Sequence, residues 1–215
     1  MVPDHSARCG AGPSDAADAE EWDERYSRSD RVWSGDPNGA LVDEVADRER
    51  GRALDVGCGE GADAIWLASH GWRVTALDVS AVALGRARTR AAQAGLDIEW
   101  LHAGLLDAGL EPGSFELVSA QYPALKRTPG QDQERLLAGL VAPGGTLLFV
   151  YHDLSAVPRH ARPEHSDGLI RPEQVLAALD GDWTVERNGT RERRVAGGAG
   201  SHHVRDIVVR ARRSR

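Results

Sequence analysis

Long apolar runs are absent from this chain of 215 residues. No stretch approaches the roughly 20 apolar residues that a membrane-spanning helix needs, and the first residues have neither the basic start nor the apolar core of an export signal. Cysteine is scarce, since only Cys9 and Cys58 occur and neither belongs to a C-x-x-C pair. We therefore expect a cytoplasmic protein with two free thiols, no disulfide framework and no bound metal.

Lysine is also nearly absent, because Lys126 is the only one among 26 basic residues. The first 50 residues are rich in Asp and Glu, whereas residues 187–215 carry many arginines. A basic end can indicate a nucleic-acid partner, but these arginines alternate with strand-forming residues, which favours a solvated face. We expect neither a nucleic-acid nor a membrane partner, and a monomer or a homodimer.

The remaining composition, 41% hydrophobic and 27% charged, is typical of one globular domain. Residues 1–18 have no periodic apolar face and are predicted to be a disordered tail. Residues 19–215 are predicted to form the single domain, in which residues from about 19 to 50 make a helical lid.

The most informative segment is Ala53-Leu-Asp-Val-Gly-Cys-Gly-Glu-Gly-Ala62, a short apolar strand followed by three alternating glycines. Glycine accepts φ > 0 and lets the backbone approach a ligand closely, which predicts a nucleotide-binding turn at Gly57, Gly59 and Gly61. Asp55, near the end of the strand, can accept hydrogen bonds from ligand groups.

A second strand, residues 73–79, follows after a helix and carries Asp78 near its end. The pattern from Gly57 to Ala62 also satisfies the dinucleotide fingerprint G-x-G-x-x-G/A. Asp78 lies 21 residues past Gly57, close to the roughly 20 expected for a ribose-binding acid. Spacing alone therefore leaves a nicotinamide site and an S-adenosylmethionine site open.

Three features favour S-adenosylmethionine: Asp55 two residues before the first glycine, the third glycine at position 61, and a terminal strand pair after alternating strands and helices. With these residues the chain resembles the class I S-adenosylmethionine-dependent methyltransferases, in particular the small TehB-like or thiopurine-methyltransferase-like branch. The resemblance runs from about Glu21 to Arg212. It implies an α/β fold with a Rossmann-like seven-stranded sheet of order 3-2-1-4-5-7-6, strand 7 antiparallel and helices on both faces.

The resemblance also implies an enzyme that transfers a methyl group from S-adenosyl-L-methionine to a small molecule through an O, N, S or chalcogen nucleophile. A protein that binds the cofactor without catalysis is the first alternative. An NAD-dependent oxidoreductase is the second, although the terminal strand pair speaks against it.

Hydrophobic periodicity and Gly or Pro boundaries predict the individual elements. Ser80 is the predicted N-cap of one helix and Gly95 the glycine after its end. The predicted helices run from near Ala16 through Tyr26 and over residues 39–47, 63–69, 81–94, 131–140 and 171–179. The predicted strands after the first cover residues 73–79, 97–102, 115–119, 146–151, 183–187 and 204–211, with a turn at 142–145.

The resemblance places the methionine part of the cofactor on the loop after the first strand and the ribose hydroxyls on Asp78. Family members commonly carry an acid after the third strand that accepts the adenine amino group, whereas Gly104 stands here, which predicts weakened cofactor affinity. Cys58 is interpreted as a small spacer rather than a nucleophile. The predicted cofactor contacts are Asp55, Gly57, Cys58, Gly59, Gly61, Asp78, Val79, Gly104, Leu105, Gln121, Trp22, Tyr26 and Trp33.

Aromatic side chains of the lid, Trp22, Tyr26 and Trp33, suit a positively charged sulfonium, because a ring face attracts a cation. Ordinary packing of a helix on the core is the alternative interpretation of these residues.

The resemblance places the transferable methyl group near the ends of the fourth and fifth strands. His152, with Asp153 beside it, is the predicted general base, because histidine titrates near neutral pH. A strand-end histidine that only hydrogen-bonds a loop is the alternative. Tyr122 and Gln121 can orient an acceptor or contact the cofactor.

The other histidines are not assigned to the site. His160 and His165 lie in a polar loop and are expected to face solvent. His202 and His203 are adjacent, so on a strand they point in opposite directions and form no metal site.

Overall fold

The computed structural model describes residues 13–155, 157, 168–193 and 203–215. The first twelve residues of the predicted tail lie outside the described residues, as do Cys9, His160, His165 and His202. Residues 13–18 belong to the first helix, which begins at Pro13 and thus earlier than the predicted start near Ala16.

Helices and strands alternate along the described residues. The helices are α1 (Pro13–Ser27), α2 (Gly39–Val45), α3 (Ala62–Ser69), α4 (Ala81–Gln93), α5 (Asp132–Leu140) and α6 (Pro172–Ala177). The strands are β1 (Arg52–Val56), β2 (Arg73–Asp78), β3 (Glu99–His102), β4 (Phe115–Gln121), β5 (Val141–His152), β6 (Trp183–Glu192) and β7 (Arg205–Arg213). A short 3-10 helix covers Leu105–Asp107.

The strands form one sheet with the order β3-β2-β1-β4-β5-β7-β6. Neighbours from β3 to β5 pair in parallel, whereas β7 pairs antiparallel with both β5 and β6. The predicted strand order and the antiparallel seventh strand are thus confirmed. In an open sheet of this kind, ligands bind outside the carboxyl ends of the strands where the order reverses, which here is between β1 and β4.

Both faces of the sheet are covered by helices, so the central strands are apolar on both sides. On one face, Leu54 and Val56 of β1 pack in a cluster that includes residues of α5 and α6. On the other face, Ala53 and Leu117 pack with residues of α2, α3 and α4. Packing on both sides holds the central strands in place. The polar side chains of the candidate site lie at the carboxyl ends of these strands.

The ends of α4 are where the sequence predicts them. Ser80 Oγ accepts a hydrogen bond from the Ala83 N–H at 3.1 Å, as an N-cap does. Gly95 follows the helix with φ +67°, a left-handed conformation that glycine adopts without a Cβ clash. Asp23 of α1 accepts hydrogen bonds from Ser80 Oγ and Val82 N, so α1 is joined to the start of α4.

Two strands extend beyond their predicted bounds. The predicted turn at residues 142–145 lies inside β5, because Val141 already pairs with Phe115 before the register shifts to Thr146 opposite Leu117. The irregular residues are therefore a bulge within a longer strand. Similarly, β6 continues past Arg187 to Glu192, because its pairing with β7 does not stop at the polar stretch.

Three arginines of the β6–β7 pair, Arg187, Arg191 and Arg210, contact acidic residues of α2, so the predicted solvated face is wrong for these three. Glu44 is buried and pairs with both Arg187 and Arg210. Arg191 pairs with Asp43 at 2.7 Å. Acids from the N-terminal part of the chain thus meet arginines from its C-terminal part, which accounts for the uneven charge along the sequence.

Replacing Ser80 by Ala is expected to lower the free energy of unfolding by about 1–2 kcal/mol, because the N-cap acceptor and the link to Asp23 are both lost. Urea unfolding of the variant measures this change. Ser69→Ala is the matched control, since Ser69 is exposed and bonds only within its own helix end, and a change within about 0.5 kcal/mol is expected there. Equal effects of the two substitutions would contradict the assignment of Ser80.

Candidate functional site

The loop between β1 and α3 carries three glycines in the left-handed region. Gly57, Gly59 and Gly61 have φ of +71°, +52° and +78°. The loop is bound to β2, because the N–H groups of Gly57 and Cys58 both donate to the Leu77 carbonyl oxygen, at 2.9 and 3.0 Å. Its backbone is therefore held in one conformation beside the strand ends.

The three glycines differ in how much space a side chain would have. A Cβ at Gly59 would lie 2.7 Å from Tyr26 Oη, and one at Gly61 would lie 2.7 Å from the Cβ of Ala87. A Cβ at Gly57 would meet no described atom within 4 Å. The loop thus packs tightly against its own protein at two positions and leaves an open face at the third.

Two acids predicted from the sequence flank this loop. Asp78 accepts hydrogen bonds from the Gly59 N–H at 2.8 Å and from the Ser80 N–H at 2.9 Å. Asp55 is buried and accepts from the Ala64 N–H, but its Oδ2 has no hydrogen-bond partner among the described residues. A buried carboxylate oxygen without a partner is costly, so Asp55 is a candidate to receive a donor from a ligand.

The electrostatics favour a cationic ligand next to Asp55. Burial raises the pKa of Asp55 well above its usual range, and the nearby Asp63 and Asp78 raise it further. Burial likewise raises the pKa of Asp63 and Asp78. A positive group placed among these carboxylates would stabilise their ionised forms.

Cys58 lies between two of the glycines and is a free thiol. Burial, and after it the charges of Asp55 and Asp78, raise its pKa well above the usual range. A thiol held in the protonated form is a poor nucleophile, which agrees with the interpretation of Cys58 as a spacer.

Residues 22–38, called here the N-terminal segment, pack over the glycine loop. The Trp33 indole N–H donates to Tyr26 Oη at 2.9 Å, and Tyr26 is buried against Gly59. The Trp22 ring lies 6.0 Å from that of Tyr26, and the Arg25 guanidinium lies over both Trp22 and Trp33. The structure therefore brings the three aromatic residues predicted from the sequence together next to the loop.

The N-terminal segment is bound to acids that stand between and after the glycines. Glu60 accepts hydrogen bonds from the N–H groups of Val32 and Trp33 and pairs with Arg86 at 2.9 Å. Asp63 accepts from the backbone N–H and the side-chain amide of Asn38, at 2.7 and 2.8 Å. Glu60 and Asp63 were not predicted as site residues, because no local sequence pattern shows which distant backbone groups they meet.

The loop after β3 offers backbone rather than side chains. Gly104 has φ −70° and ψ +161°, which other residues also adopt. The Leu105 side chain is buried in the apolar cluster, so only its backbone remains for a ligand. The carbonyl oxygen of Val79 lies 2.9 Å from His102 Nε2.

The ends of β4 and β5 carry the predicted acceptor residues. Gln121 is buried, and its Nε2 donates to Ser119 Oγ at 3.0 Å, while its Oε1 has no partner within the described part of the chain. Tyr122 follows with φ +51°, a strained conformation for a residue with a side chain. Its ring stacks on His152 at 4.2 Å between centroids.

The carboxylate next to His152 is that of Asp206 in β7, which was not predicted from the sequence. Asp206 Oδ1 lies 3.4 Å from His152 Nδ1, whereas Asp153, the neighbour in sequence, accepts from the Ser155 N–H and pairs with Arg205. Asp206 faces His152 because the two residues are opposite each other in the β5–β7 register. Asp206 could be identified only from this register, which cannot be read from the sequence.

The two phenols near the site stay protonated at neutral pH. Burial raises the pKa of Tyr26, and the Asp78 charge raises it further. Burial and the charge of Asp206 raise the pKa of Tyr122, whose hydroxyl donates to Asp206 Oδ2 at 2.7 Å. Tyr122 is thus a hydrogen-bond donor in this arrangement rather than a proton acceptor.

Comparison with known proteins agrees with this geometry. Residues 53–145 match a family model described as a methyltransferase domain. An uncharacterized methyltransferase of Mycobacterium tuberculosis is 38% identical over 122 residues, which span 56% of this chain and 61% of the relative. The match therefore covers less than two thirds of that relative's length.

Two solved structures share the fold over nearly the whole chain. A structure solved for the conversion of a disulfide bond into a thioacetal group during echinomycin biosynthesis has a TM-score of 0.69 and 25% identity, covering 91% of this chain and 92% of its own. The N-methyltransferase NodS of Bradyrhizobium japonicum, in complex with S-adenosyl-L-homocysteine, has a TM-score of 0.68 and 21% identity, covering 91% and 98%. The second likeness shows the fold alone.

Two kinds of feature are absent from the described residues. None of the helices there is both long and apolar enough to cross a bilayer. No group of three or more His, Cys, Asp or Glu residues in the same part of the chain is arranged to hold a metal ion.

Replacing Glu60 by Gln is expected to speed amide exchange at Val32 and Trp33 by about tenfold, because hydrogen bonds to a charged acceptor are stronger than those to a neutral one. Hydrogen–deuterium exchange resolved to these amides measures the change. Glu24→Gln is the control, since Glu24 pairs with Arg28 on the exposed side of α1. Unchanged protection in Glu60→Gln would show that the acid does not hold the N-terminal segment.

Proposed function

We propose that the chain, whose residues 53–145 match a methyltransferase domain, is a class I S-adenosylmethionine-dependent methyltransferase that transfers a methyl group from that cofactor to a small-molecule acceptor. The observation that carries the proposal is the buried Oδ2 of Asp55, which has no partner among the described residues and belongs to the strand that leads to the open face of Gly57. The TehB-like branch remains a prediction from the sequence.

The residues of the glycine loop fit S-adenosylmethionine, whose methionine part carries an ammonium group. Asp55 would accept from that ammonium, and the open face of Gly57 leaves space for the chain that bears it. Asp78 would bind the ribose hydroxyls, since each carboxylate oxygen can accept more than the one backbone hydrogen bond it has here. Val79, Gly104 and Leu105 would contact the adenine through their backbone.

When bound, the cofactor supplies an electrophilic methyl group on a positively charged sulfur. The protein's part is to exclude water and to hold the acceptor in line with the carbon–sulfur bond, which accounts for much of the acceleration in such displacements. Tyr26, Trp33 and Trp22 would form the wall next to the cofactor, because ring faces stabilise a cation. Their packing over Gly59 supports this role.

The acceptor would lie at the ends of β4 and β5. His152 would remove a proton from it, and Gln121, through its unpartnered Oε1, would accept a hydrogen bond from it or from the cofactor. Tyr122 would orient His152 by stacking rather than act on the acceptor directly. The buried acids that surround the glycine loop favour a small molecule over a nucleic acid, whose phosphates they would repel.

The attacking atom differs among the similar proteins, since one structure concerns a disulfide and another an N-methyltransferase. The acceptor can be identified by a screen that follows the release of S-adenosylhomocysteine.

Calorimetric titration with S-adenosylmethionine, S-adenosylhomocysteine and NADH in parallel tests the proposal. We expect micromolar binding of the first two and no binding of NADH. Binding of NADH alone would replace the proposal by an oxidoreductase. Binding of S-adenosylmethionine without turnover across broad panels of hydroxyl, amine and thiol acceptors would favour a binding protein without catalysis.

Replacing Gly57 by Ala is expected to lower the affinity for S-adenosylhomocysteine at least about tenfold, because the added methyl group enters the open face. Gly95→Ala is the matched control: Gly95 has φ +67°, close to the +71° of Gly57, and a Cβ there also meets nothing within 4 Å. Both variants should lose about 1–2 kcal/mol of stability from left-handed strain. Equal affinities by calorimetry would place the cofactor elsewhere.

The affinity for S-adenosylmethionine is expected to fall as the pH is lowered, beginning above the range of about pH 4 in which an ordinary aspartate titrates. The pKa of Asp55 is raised in the free protein, so acid protonates its carboxyl above the usual pH range and removes the charge that the ammonium needs. Titrations at a series of pH values measure the effect. The Asp55→Asn variant should bind S-adenosylmethionine weakly at every pH. The control variant Asp107→Asn, at an exposed position, should keep the pH dependence of the unmodified protein. An affinity of the unmodified protein that does not change with pH would refute the role of Asp55.

A further inference from the structure

Asp206 is a buried carboxylate that contacts both Tyr122 and His152 at the ends of β4 and β5, called here the acceptor edge. Its Oδ2 accepts from the Tyr122 hydroxyl at 2.7 Å, and its Oδ1 lies 3.4 Å from His152 Nδ1. The His152 distance is long for a hydrogen bond, but such contacts in sites without ligands commonly tighten when the substrate binds.

The rings around Asp206 form a stack of three. His152 lies between Tyr122, at 4.2 Å, and His203, at 4.0 Å, with interplanar angles of 23° and 20°. Stacking on both faces fixes the plane of the imidazole. A ring held in one plane directs its two nitrogens along fixed lines, and one of these lines runs to Asp206.

Other charged and titratable groups also face this stack. Arg193, which follows β6, lies over the Tyr122 ring at 5.0 Å, with its Nε 3.9 Å from Asp206 Oδ1. Tyr151 lies next to His152 with ring centroids 6.4 Å apart. Asp153 is turned to Arg205 and Ser155. Among these groups Asp206 is the carboxylate that reaches the imidazole.

We propose that Asp206 is a positioning residue that holds the proton of neutral His152 on Nδ1, so that Nε2 carries the lone pair that takes a proton from the methyl acceptor. The inference rests on the methyl transfer proposed above and adds the group that sets the tautomer of the base. A neutral imidazole that donates from Nδ1 to a carboxylate has its other nitrogen as the acceptor.

The proton balance of the step is complete without another reactant. The acceptor oxygen or nitrogen forms a bond to the methyl carbon while the carbon–sulfur bond breaks and its electron pair stays on sulfur. The proton of the acceptor passes to His152 Nε2, and the resulting imidazolium, stabilised by Asp206, later releases it to water. Such a base serves acceptors that carry a proton on oxygen or nitrogen, since a thiolate already has the needed lone pair.

The tautomer of His152 can be read directly by NMR, because the nitrogen-15 shifts of an imidazole differ between a protonated and an unprotonated nitrogen. The experiment uses the full chain at about pH 8, where an ordinary histidine is neutral. The His152→Gln variant assigns the signal among the 8 histidines. We expect at least about a tenfold excess of the Nδ1–H form, the preference that one hydrogen bond to a charged group produces.

In Asp206→Asn this excess should disappear, because the amide can present an N–H group to Nδ1 and favour the other tautomer. Asp153→Asn is the matched control: it makes the same substitution at the carboxylate next to His152 in sequence, and the excess should remain. A predominance of the Nε2–H form in the unmodified protein would overturn the proposal, and so would an unchanged tautomer ratio in a folded Asp206→Asn variant.

The measurement on the unmodified protein stands even if Asp206→Asn does not fold. Circular dichroism and S-adenosylhomocysteine titration of each variant establish whether it is folded. Because the NMR readout needs neither cofactor nor acceptor, a wrong tautomer refutes the role of Asp206 alone, whereas failure to bind S-adenosylhomocysteine refutes the proposed function.

Discussion

The site depends on the hydrogen bonds that fix the glycine loop to the end of β2. Two loop N–H groups converge on the Leu77 carbonyl oxygen, and a third donates to Asp78. These bonds hold a backbone that only glycine adopts without strain. Because Asp78 also receives the Ser80 N–H at the start of α4, one carboxylate links the loop to the helix that follows β2.

Four buried acids surround this loop, and the protein balances them in different ways. Asp78 and Asp63 receive backbone donors, and Glu60 receives both backbone donors and an arginine. Asp55 is the one of the four that keeps an oxygen without a partner among the described residues. The unsatisfied hydrogen-bonding capacity is thus concentrated at one atom of β1, the strand that leads to Gly57, where an added Cβ would meet no described atom within 4 Å. This distribution separates acids that build the site from the acid available to a ligand.

The sequence predicted the features that rest on local rules and missed those that rest on long-range register. The glycine loop, the Ser80 cap and Gly95 follow from patterns within a few residues, and the structure has them. The strand order, which the structure also has, was implied by the family resemblance and not by any local pattern. The contact of Asp206 with His152 spans 54 residues, and it depends on how β7 pairs with β5. The bulge in β5 was predicted as a turn because Pro and Gly mark both kinds of irregularity. The sequence gives no local signal for Glu60, since its partners, two backbone N–H groups and Arg86, are 26 to 28 residues away.

The glycine loop and the pair of His152 and Asp206 lie far apart along the sequence. The matched methyltransferase region ends at residue 145, before His152, and Asp206 enters the acceptor edge only because the last strand runs antiparallel and begins there. The proposed cofactor-binding loop and the proposed proton-handling pair of His152 and Asp206 are therefore encoded in separate stretches. If these roles hold, substitutions after residue 145 can change the acceptor chemistry during evolution while the glycine loop and its supporting bonds remain as they are.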